Sequence, residues 1–329
     1  MRTKRTLVVL VLAAIVFDVS VRAQSMLPAY ADAGWPGATV WRTPGASAIL
    51  TPRAFLPLVV DQPTRIAVIG DFGLAGPAEA AVAGLVDAWS PTYIVTTGDN
   101  NYYDGQYGTI DQNIGQYYAS YIYPYVGSYP TTGNPGYNRF FPVLGNHDWN
   151  ATYGYAAHLD YFTLPGNERY YDVQIGPAHF FMLNSDPHEP DGITTTSAQA
   201  QWLQSRLSDS AACWKIVVMH HAPYSSSAVH GSTTIMQWPY AAWGADMVLA
   251  GHAHVYERLH RDGIPYIVNG VGGAPLYAFG APISGSLVRY NAKHGAMHID
   301  VRPHTLRISF VNVDGAVIDQ FTLSGGCAP

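Results

Sequence analysis

Apolar residues along this chain gather into short runs that stop abruptly at polar side chains. Ile66-Ala67-Val68-Ile69-Gly70 ends at Asp71, and Tyr93-Ile94-Val95-Thr96-Thr97 ends at Gly98-Asp99. Runs of this length bounded by turn residues read as buried β-strands. Between them, Pro77 opens a segment whose Val82, Leu85, Val86 and Trp89 recur at i, i+3, i+4 and i+7, the spacing of one helix face. Strand, helix and strand in this order form a βαβ unit, which makes the two strands parallel. Three further runs repeat the pattern. Phe140 to Gly145 ends at Asn146-His147-Asp148, Lys215 to Met219 at His220-His221, and Met247 to Ala250 at Gly251-His252-Ala253-His254.

The remaining segments read more simply. Tyr170 to Ile175 and His179 to Asn184, separated by Gly176-Pro177, predict a hairpin. Thr196-Ser197-Ala198-Gln199 has the form of a capping box before a helix carrying Trp202, Leu203 and Leu207. After a strand at Ile264 to Asn269, the tail alternates through Met297 to Val301, Thr305 to Val313 and Val317 to Leu323. That pattern predicts an antiparallel meander turning at Asn312-Val313-Asp314-Gly315. Residues 102 to 137 carry tyrosines at 102, 103, 107, 117, 118, 121, 123, 125, 129 and 137 and read as loop. Two roles are open to these rings: an aromatic rim that selects substrates, or packing with the hydroxyls left in water. Residues 24 to 63, rich in Pro, Gly and Ala without a period, predict an irregular extension. No internal repeat or linker divides residues 64 to 325, which we read as one catalytic domain.

Composition narrows the class. A chain of 329 residues that is 48% hydrophobic and 12% charged can bury a sizeable core. Residues 1 to 23 stand apart: Arg2, Lys4 and Arg5 precede an apolar stretch from Leu7 to Phe17, and Val21-Arg22-Ala23 offers small residues at a cleavage site. That is the form of a signal peptide, with a mature chain starting near Gln24 and a secreted or periplasmic destination. The apolar stretch is short for a bilayer span, and no cysteine near the cut would carry a lipid, so no stable membrane anchor is expected. Loss of the leader moves the formal charge from −6 to −9, which disfavours nucleic acid as a partner. Cys213 and Cys327 either pair in an oxidising compartment or remain two buried thiols. Nothing in the pattern specifies an oligomeric state.

The chemistry lies where the runs end. Asp71, Asp99, Asn146, His220 and His252 each close an apolar run, and Gly precedes Asp71, Asp99, Asn146 and His252. Strand ends gather at one edge of an open α/β sheet, where such folds keep their sites. This donor list suits a dinuclear centre, in which one carboxylate bridges two cations about 3.5–4 Å apart that activate water and clamp a phosphoryl group. Oxygen and nitrogen donors favour hard or borderline first-row ions over a thiolate zinc site. Tyr102, three residues after Asp99, adds a phenol, which becomes a ligand only to a hard, highly charged ion such as ferric iron.

Gly70-Asp71-Phe72-Gly73, Gly98-Asp99-Asn100-Asn101-Tyr102, Gly145-Asn146-His147-Asp148, Val217-Val218-Met219-His220 and Gly251-His252-Ala253-His254 resemble, in order, the five metal-binding motifs of the purple acid phosphatases. These enzymes belong to the calcineurin-like metallophosphoesterases. The resemblance runs from about Thr64 to Leu323 and includes Val255-Tyr256-Glu257-Arg258. It implies an α/β fold: a four-layer α/β/β/α sandwich of two mixed β-sheets flanked by helices. Residues 24 to 63 cannot supply the extra N-terminal β-domain of the plant enzymes, so the short single-domain type is implied. Carried over by position, an Fe(III) site would use Asp71, Asp99, Tyr102 and His254. A second, divalent metal (Fe, Zn or Mn) would use Asp99, Asn146, His220 and His252, with Asp99 bridging and His221 just outside.

His147, oriented by Asp148, would hold a phosphate oxygen or the leaving group, and His230 resembles the family's loop histidine beside the leaving group. The implied activity is that of an exported acid phosphatase. It would hydrolyse small phosphorylated substrates, phosphomonoesters, through a metal-bound hydroxide. A manganese- or zinc-dependent phosphodiesterase or nucleotidase is the competing reading, and Tyr102 argues against it. A non-catalytic metal-binding protein on the same scaffold would have lost ligands, and all seven are present.

Overall fold

A computed structural model describes residues 62–150 and 152–327. The expected signal peptide, and the expected extension up to residue 61, lie outside these residues. Among the described residues the strands are β1 Thr64–Ile69, β2 Tyr93–Thr96, β3 Phe140–Phe141, β4 Tyr171–Ile175, β5 Ala178–Met182, β6 Trp214–His221, β7 Met247–Gly251, β8 Tyr256–Arg261, β9 Ile264–Asn269, β10 Ser286–Tyr290, β11 Gly295–Arg302, β12 Thr305–Asn312 and β13 Val317–Ser324.

They form two mixed sheets. The first has the order β13-β12-β11-β1-β2-β3, with β1, β2 and β3 parallel and the β11–β13 meander joined antiparallel to β1. The second has the order β10-β8-β9-β7-β6-β5-β4, with a parallel centre of β5, β6, β7 and β9 and antiparallel flanks.

Burial on both faces explains why the central strands read as unbroken apolar runs. Along β6, Ile216 and Val218 join a core shared with β1 and β11 of the other sheet. Val217 and Met219 point the opposite way, toward Leu203 and Leu207 of the Ala198–Asp209 helix and toward Trp238 and Tyr240. The Pro77–Trp89 helix buries Val82 and Val86 in the core that includes Ile66 to Ile69, so helices flank two facing sheets.

Some elements differ from the sequence expectation. The Tyr-rich segment is not loop at its start: Tyr107 to Tyr121 is almost continuously helical, through a π-helical turn at Asp111–Gly115. Ile110, Ile114 and Tyr118, four apart and buried, carry its inner face, a period that the surrounding tyrosines obscure. The rings divide between core and surface. Tyr118 and Tyr121 are core residues, and Tyr125 and Tyr161 donate to Asp111, which also ties down Ser128. Tyr103, Tyr107, Tyr123 and Tyr137 are exposed. The strand expected from Phe140 to Gly145 stops at Phe141, because Pro142 has no N–H to donate to a ladder. The cap of the Ala198–Asp209 helix is Ser197, whose hydroxyl accepts from Ala200 N–H. Gln199 instead braces the loop after β5 through the Asn184 backbone.

Cys213 and Cys327 form a disulfide, which settles the alternatives left by the sequence. It fastens the tail beyond β13, at the edge of the first sheet, to the residue before β6 in the second. Closing a separation of 114 residues constrains the unfolded chain strongly. Replacing both cysteines by serine is therefore expected to cost about 2–5 kcal/mol and to lower Tm on the order of 5–10 °C in thermal unfolding. An unchanged Tm would contradict a structural role for the bond.

Candidate metal centre

The parallel strands of both sheets direct their C-terminal ends to one place. Asp71 follows β1, Asp99 follows β2, Asn146 lies beyond β3, His220 is the next-to-last residue of β6 and His252 follows β7. The sheets are stitched together there. The Asn269 side chain donates to Val68 C=O, Thr97 Oγ1 donates to Asn269 C=O, and His252 N–H donates to the Asp71 carboxylate.

The polar atoms form two clusters that share Asp99. In one, Tyr102 donates its hydroxyl to Asp99 Oδ2 at 2.9 Å and lies 3.1 Å from His254 Nε2, which is 3.3 Å from Asp71 Oδ1. In the other, His220 Nε2 lies 3.0 Å from Asn146 Oδ1, 3.2 Å from His252 Nδ1 and 3.3 Å from Asp99 Oδ1. Asp71, Asp99 and His220 each present one donor atom within 4.8 Å of the others, close enough to hold a metal ion together. All three are at most 1% exposed.

Backbone carbonyls set the imidazole tautomers. His220 Nδ1 meets Thr97 C=O and His254 Nδ1 meets Pro275 C=O, both at 2.8 Å, so each of these nitrogens carries the proton. Both Nε2 atoms are thereby left to face the clusters as lone pairs. Amide oxygen, carboxylate oxygen and two ring nitrogens converging within about hydrogen-bond distance form a set of acceptors that hydrogen bonds alone satisfy poorly. A cation satisfies them together.

The electrostatics agree. Burial, with the charges of Asp71 and Asp99, drives the Tyr102 pKa far above that of a free phenol, so without a cation the hydroxyl keeps its proton. Burial raises the Asp99 carboxyl, partly offset by His220. Burial alone would lower His220, but Asp99 and Asp71 outweigh it, and at His254 Asp71 does the same. His252 goes the other way, held well below its ordinary value by burial and by His220, His221 and His230. Since a proton and a cation compete for the same Nε2 lone pairs of His220 and His254, metal binding at these positions depends on pH.

Close backbone approach makes the clusters possible. Asp71, Asp99 and His252 sit at φ 54°, 53° and 66°, the left-handed region that non-glycine residues enter mainly at turns and functional sites. Gly98 has φ 91°, and a Cβ there would lie 2.6 Å from His220 Nδ1. A Cβ on Gly145 would lie 2.2 Å from Asp99 Oδ1.

The other candidates take distinct positions. His147 donates its N–H to Asp99 Oδ1 at 2.9 Å, its Nδ1 meets Tyr103 C=O, and its ring lies 4.4 Å from that of Tyr102. Asp148 does not orient it. Its carboxylate turns inward, accepting from Gly145 N–H and from the Asn100 backbone and side chain, so it fixes the loop. Burial first, then Asp99, pushes the Asp148 carboxyl up to about 7.

His230 stacks 4.1 Å from His252, with Tyr277 at 5.4 Å. His221 lies 4.3 Å from His252 and bonds Ser185 Oγ, its pKa lowered to about 3 by burial and then by His220. Sequence reasoning missed Tyr277, which lies flat on His254 at 4.1 Å and lines, with Leu74, Tyr103, His147 and Pro275, a cavity of about 250 Å³ beside the clusters. Its only signal was a lone aromatic in a Gly- and Pro-rich loop. Thr97 and Pro275 act through carbonyls, which no side-chain motif reveals.

Residues 64–256, more than half of the chain, match the calcineurin-like phosphoesterase family, and the chain belongs to that family. Within it the similarity is to purple acid phosphatases. Purple acid phosphatase 23 of Arabidopsis thaliana is 26% identical over 243 residues, covering 63% of this chain and 50% of the relative. The chain spans about half the length of the first curated relatives it matches. The purple acid phosphatase PPD1 from yellow lupin seeds superposes with a TM-score of 0.65 at 19% identity, over 79% of this chain and 53% of that one. GAP50, described as the anchor in the inner membrane complex of Plasmodium, superposes with a TM-score of 0.64 at 20% identity, over 81% of this chain and 90% of that one. These two likenesses concern the fold.

A methyl group at residue 98 must displace the His220 ring. Gly98→Ala is expected to weaken metal retention on the order of 10- to 100-fold, measured as metal per protein after dialysis. Gly84→Ala, in open space on the Pro77–Trp89 helix, is expected to leave it unchanged. A Gly98→Ala protein with its full metal complement would contradict the role given to this approach.

Proposed function

We propose that this protein is an exported acid phosphatase that hydrolyses phosphomonoesters at an Fe(III)–M(II) pair, M being Fe, Zn or Mn. The observation that carries the reading is the Tyr102 hydroxyl, buried between Asp99 and His254 at 2.9 and 3.1 Å. A phenol aimed at a carboxylate and an imidazole lone pair suits a hard trivalent ion, since only strong charge removes its proton. Asp71, Asp99, Tyr102 and His254 would hold Fe(III), and Asp99, Asn146, His220 and His252 would hold the divalent ion. The donor set is oxygen and nitrogen throughout, and both cysteines are committed to the disulfide. The chemistry such a pair supplies when bound is charge neutralisation at the phosphoryl group and activation of water as the nucleophile.

The chain's own groups divide the remaining work. Asp99 belongs to both clusters and fixes their separation. His147, pinned through its backbone to Asp99, faces the open side and would hold a phosphoryl oxygen. His230, against His252, would give a proton to the departing alkoxide. Export is supported by the signal-like leader and by the disulfide, which persists in oxidising compartments. Among the described residues no helix is long and apolar enough to cross a membrane.

His230 must be protonated to act as an acid. Burial first, then His254, hold its pKa below the ordinary value of about 6.5, with Asp71 pulling the other way. A lowered pKa means that the charged form is lost as pH rises through a value below about 6.5, so activity on alkyl phosphates falls across the acid range. His230→Asn is expected to flatten that limb and to slow alkyl phosphate hydrolysis on the order of 100-fold, with aryl phosphates affected only a few-fold. Steady-state rates against pH test this. An unchanged alkyl profile would remove His230 as the acid, and a preference for diesters over monoesters would contradict the proposed activity.

A further inference from the structure

Glu257 lies on β8, three residues past His254, and is fully buried. A carboxylate removed from water is costly unless its oxygens are hydrogen-bonded. Here Ser226 donates its N–H to Oε2 at 2.6 Å and its hydroxyl to Oε1 at 2.5 Å. Ser286 donates its hydroxyl to Oε1 at 2.6 Å, and the Ser225 hydroxyl reaches Oε2 at 3.5 Å. These donors are neutral and come from two segments. One is the loop from Ser225 to Gly231 that carries His230, and the other is the start of β10. The loop is tied further to the chain following Tyr277. Ala228 N–H donates to Ala278 C=O, Gly280 N–H to Ser226 C=O and Ile283 N–H to Ser226 Oγ. Ala228 and Val229 are exposed, Val229 at 56%, and the rings of His252 and Tyr277 flank the half-buried His230 imidazole.

We infer that Glu257 is a positioning residue for His230. Its buried carboxylate clamps Ser225 and Ser226 against β10, and so sets where the exposed tip presents His230 to the leaving group. The inference rests on the role proposed for His230. Position, and not charge, is what the clamp supplies. A glutamine could accept from Ser226 N–H with its oxygen and donate to the rotated hydroxyls of Ser226 and Ser286 with its amide, keeping the loop in place.

The test is a set of variants assayed on an alkyl phosphate and on an activated aryl phosphate, with bound metal measured in each. Glu257→Ala is expected to lower alkyl phosphate kcat/KM on the order of 10- to 100-fold, to change the aryl rate only a few-fold, and to keep both metals. Glu257→Gln is expected to restore most of the loss. Ser226→Ala, which leaves β8 intact, should show a smaller loss of the same kind and guards against a misfolded Glu257→Ala. Because Glu257 acts through His230, the Glu257→Ala/His230→Asn double variant should be no slower than His230→Asn alone. Additive losses, equal losses on both substrates, or failure of Gln to rescue would overturn the inference. Should His230→Asn itself leave the alkyl rate unchanged, the acid assignment fails instead. Amide hydrogen exchange of residues 225–231 then decides the clamp alone: exchange faster in Glu257→Ala than in Glu257→Gln supports it, and equal exchange refutes it.

Discussion

Two carboxylates buried side by side are the constraint on which this structure turns. Asp71 and Asp99 are cut off from water and interact with the same groups, Tyr102, His220 and His254, and the charge of Asp71 adds to the cost of ionising Asp99. Desolvated like charges are tolerated in a folded protein only when neutralised by protons or by cations. The proposed pair of cations would neutralise them while satisfying the acceptor atoms on Asn146, His220, His252 and His254 together.

Much of the surrounding fold follows from holding that arrangement. Five strand ends from two sheets must meet within a few ångströms, which forces the backbone into left-handed conformations at Asp71, Asp99 and His252. It also leaves no room for a side chain at Gly98 or Gly145. The imidazoles are aimed by Thr97 and Pro275 carbonyls, and Asp148 locks the turn that carries Asn146 and His147. Local strain of this kind persists because the sheets, buried on both faces, over-determine it. The loop bearing His230 is held by serine hydrogen bonds to one buried glutamate and by backbone hydrogen bonds to the chain after Tyr277.

Most of the architecture was legible in the sequence because its strands are buried on both faces and end at chemically conspicuous residues. Runs such as Ile66 to Ile69 and Lys215 to Met219 leave little doubt of their state, and the donors Asp71, Asp99, Asn146, His220 and His252 mark their ends. The rest was hidden for physical reasons. The helix from Tyr107 keeps its inner face through Ile110, Ile114 and Tyr118, but tyrosines on every side mask the period. Asp148 sits next to His147 in the chain yet turns away from it, since a 3₁₀ turn points adjacent side chains in different directions. Tyr277 and Glu257 reach the site only through tertiary packing.

The central claim is that Tyr102 is a ligand to ferric iron, and the visible spectrum of the purified mature protein tests it most directly. The account predicts a coloured protein containing iron and a second metal, with a phenolate-to-iron charge-transfer band that disappears in Tyr102→Phe. A colourless, active protein holding only manganese or zinc would contradict it.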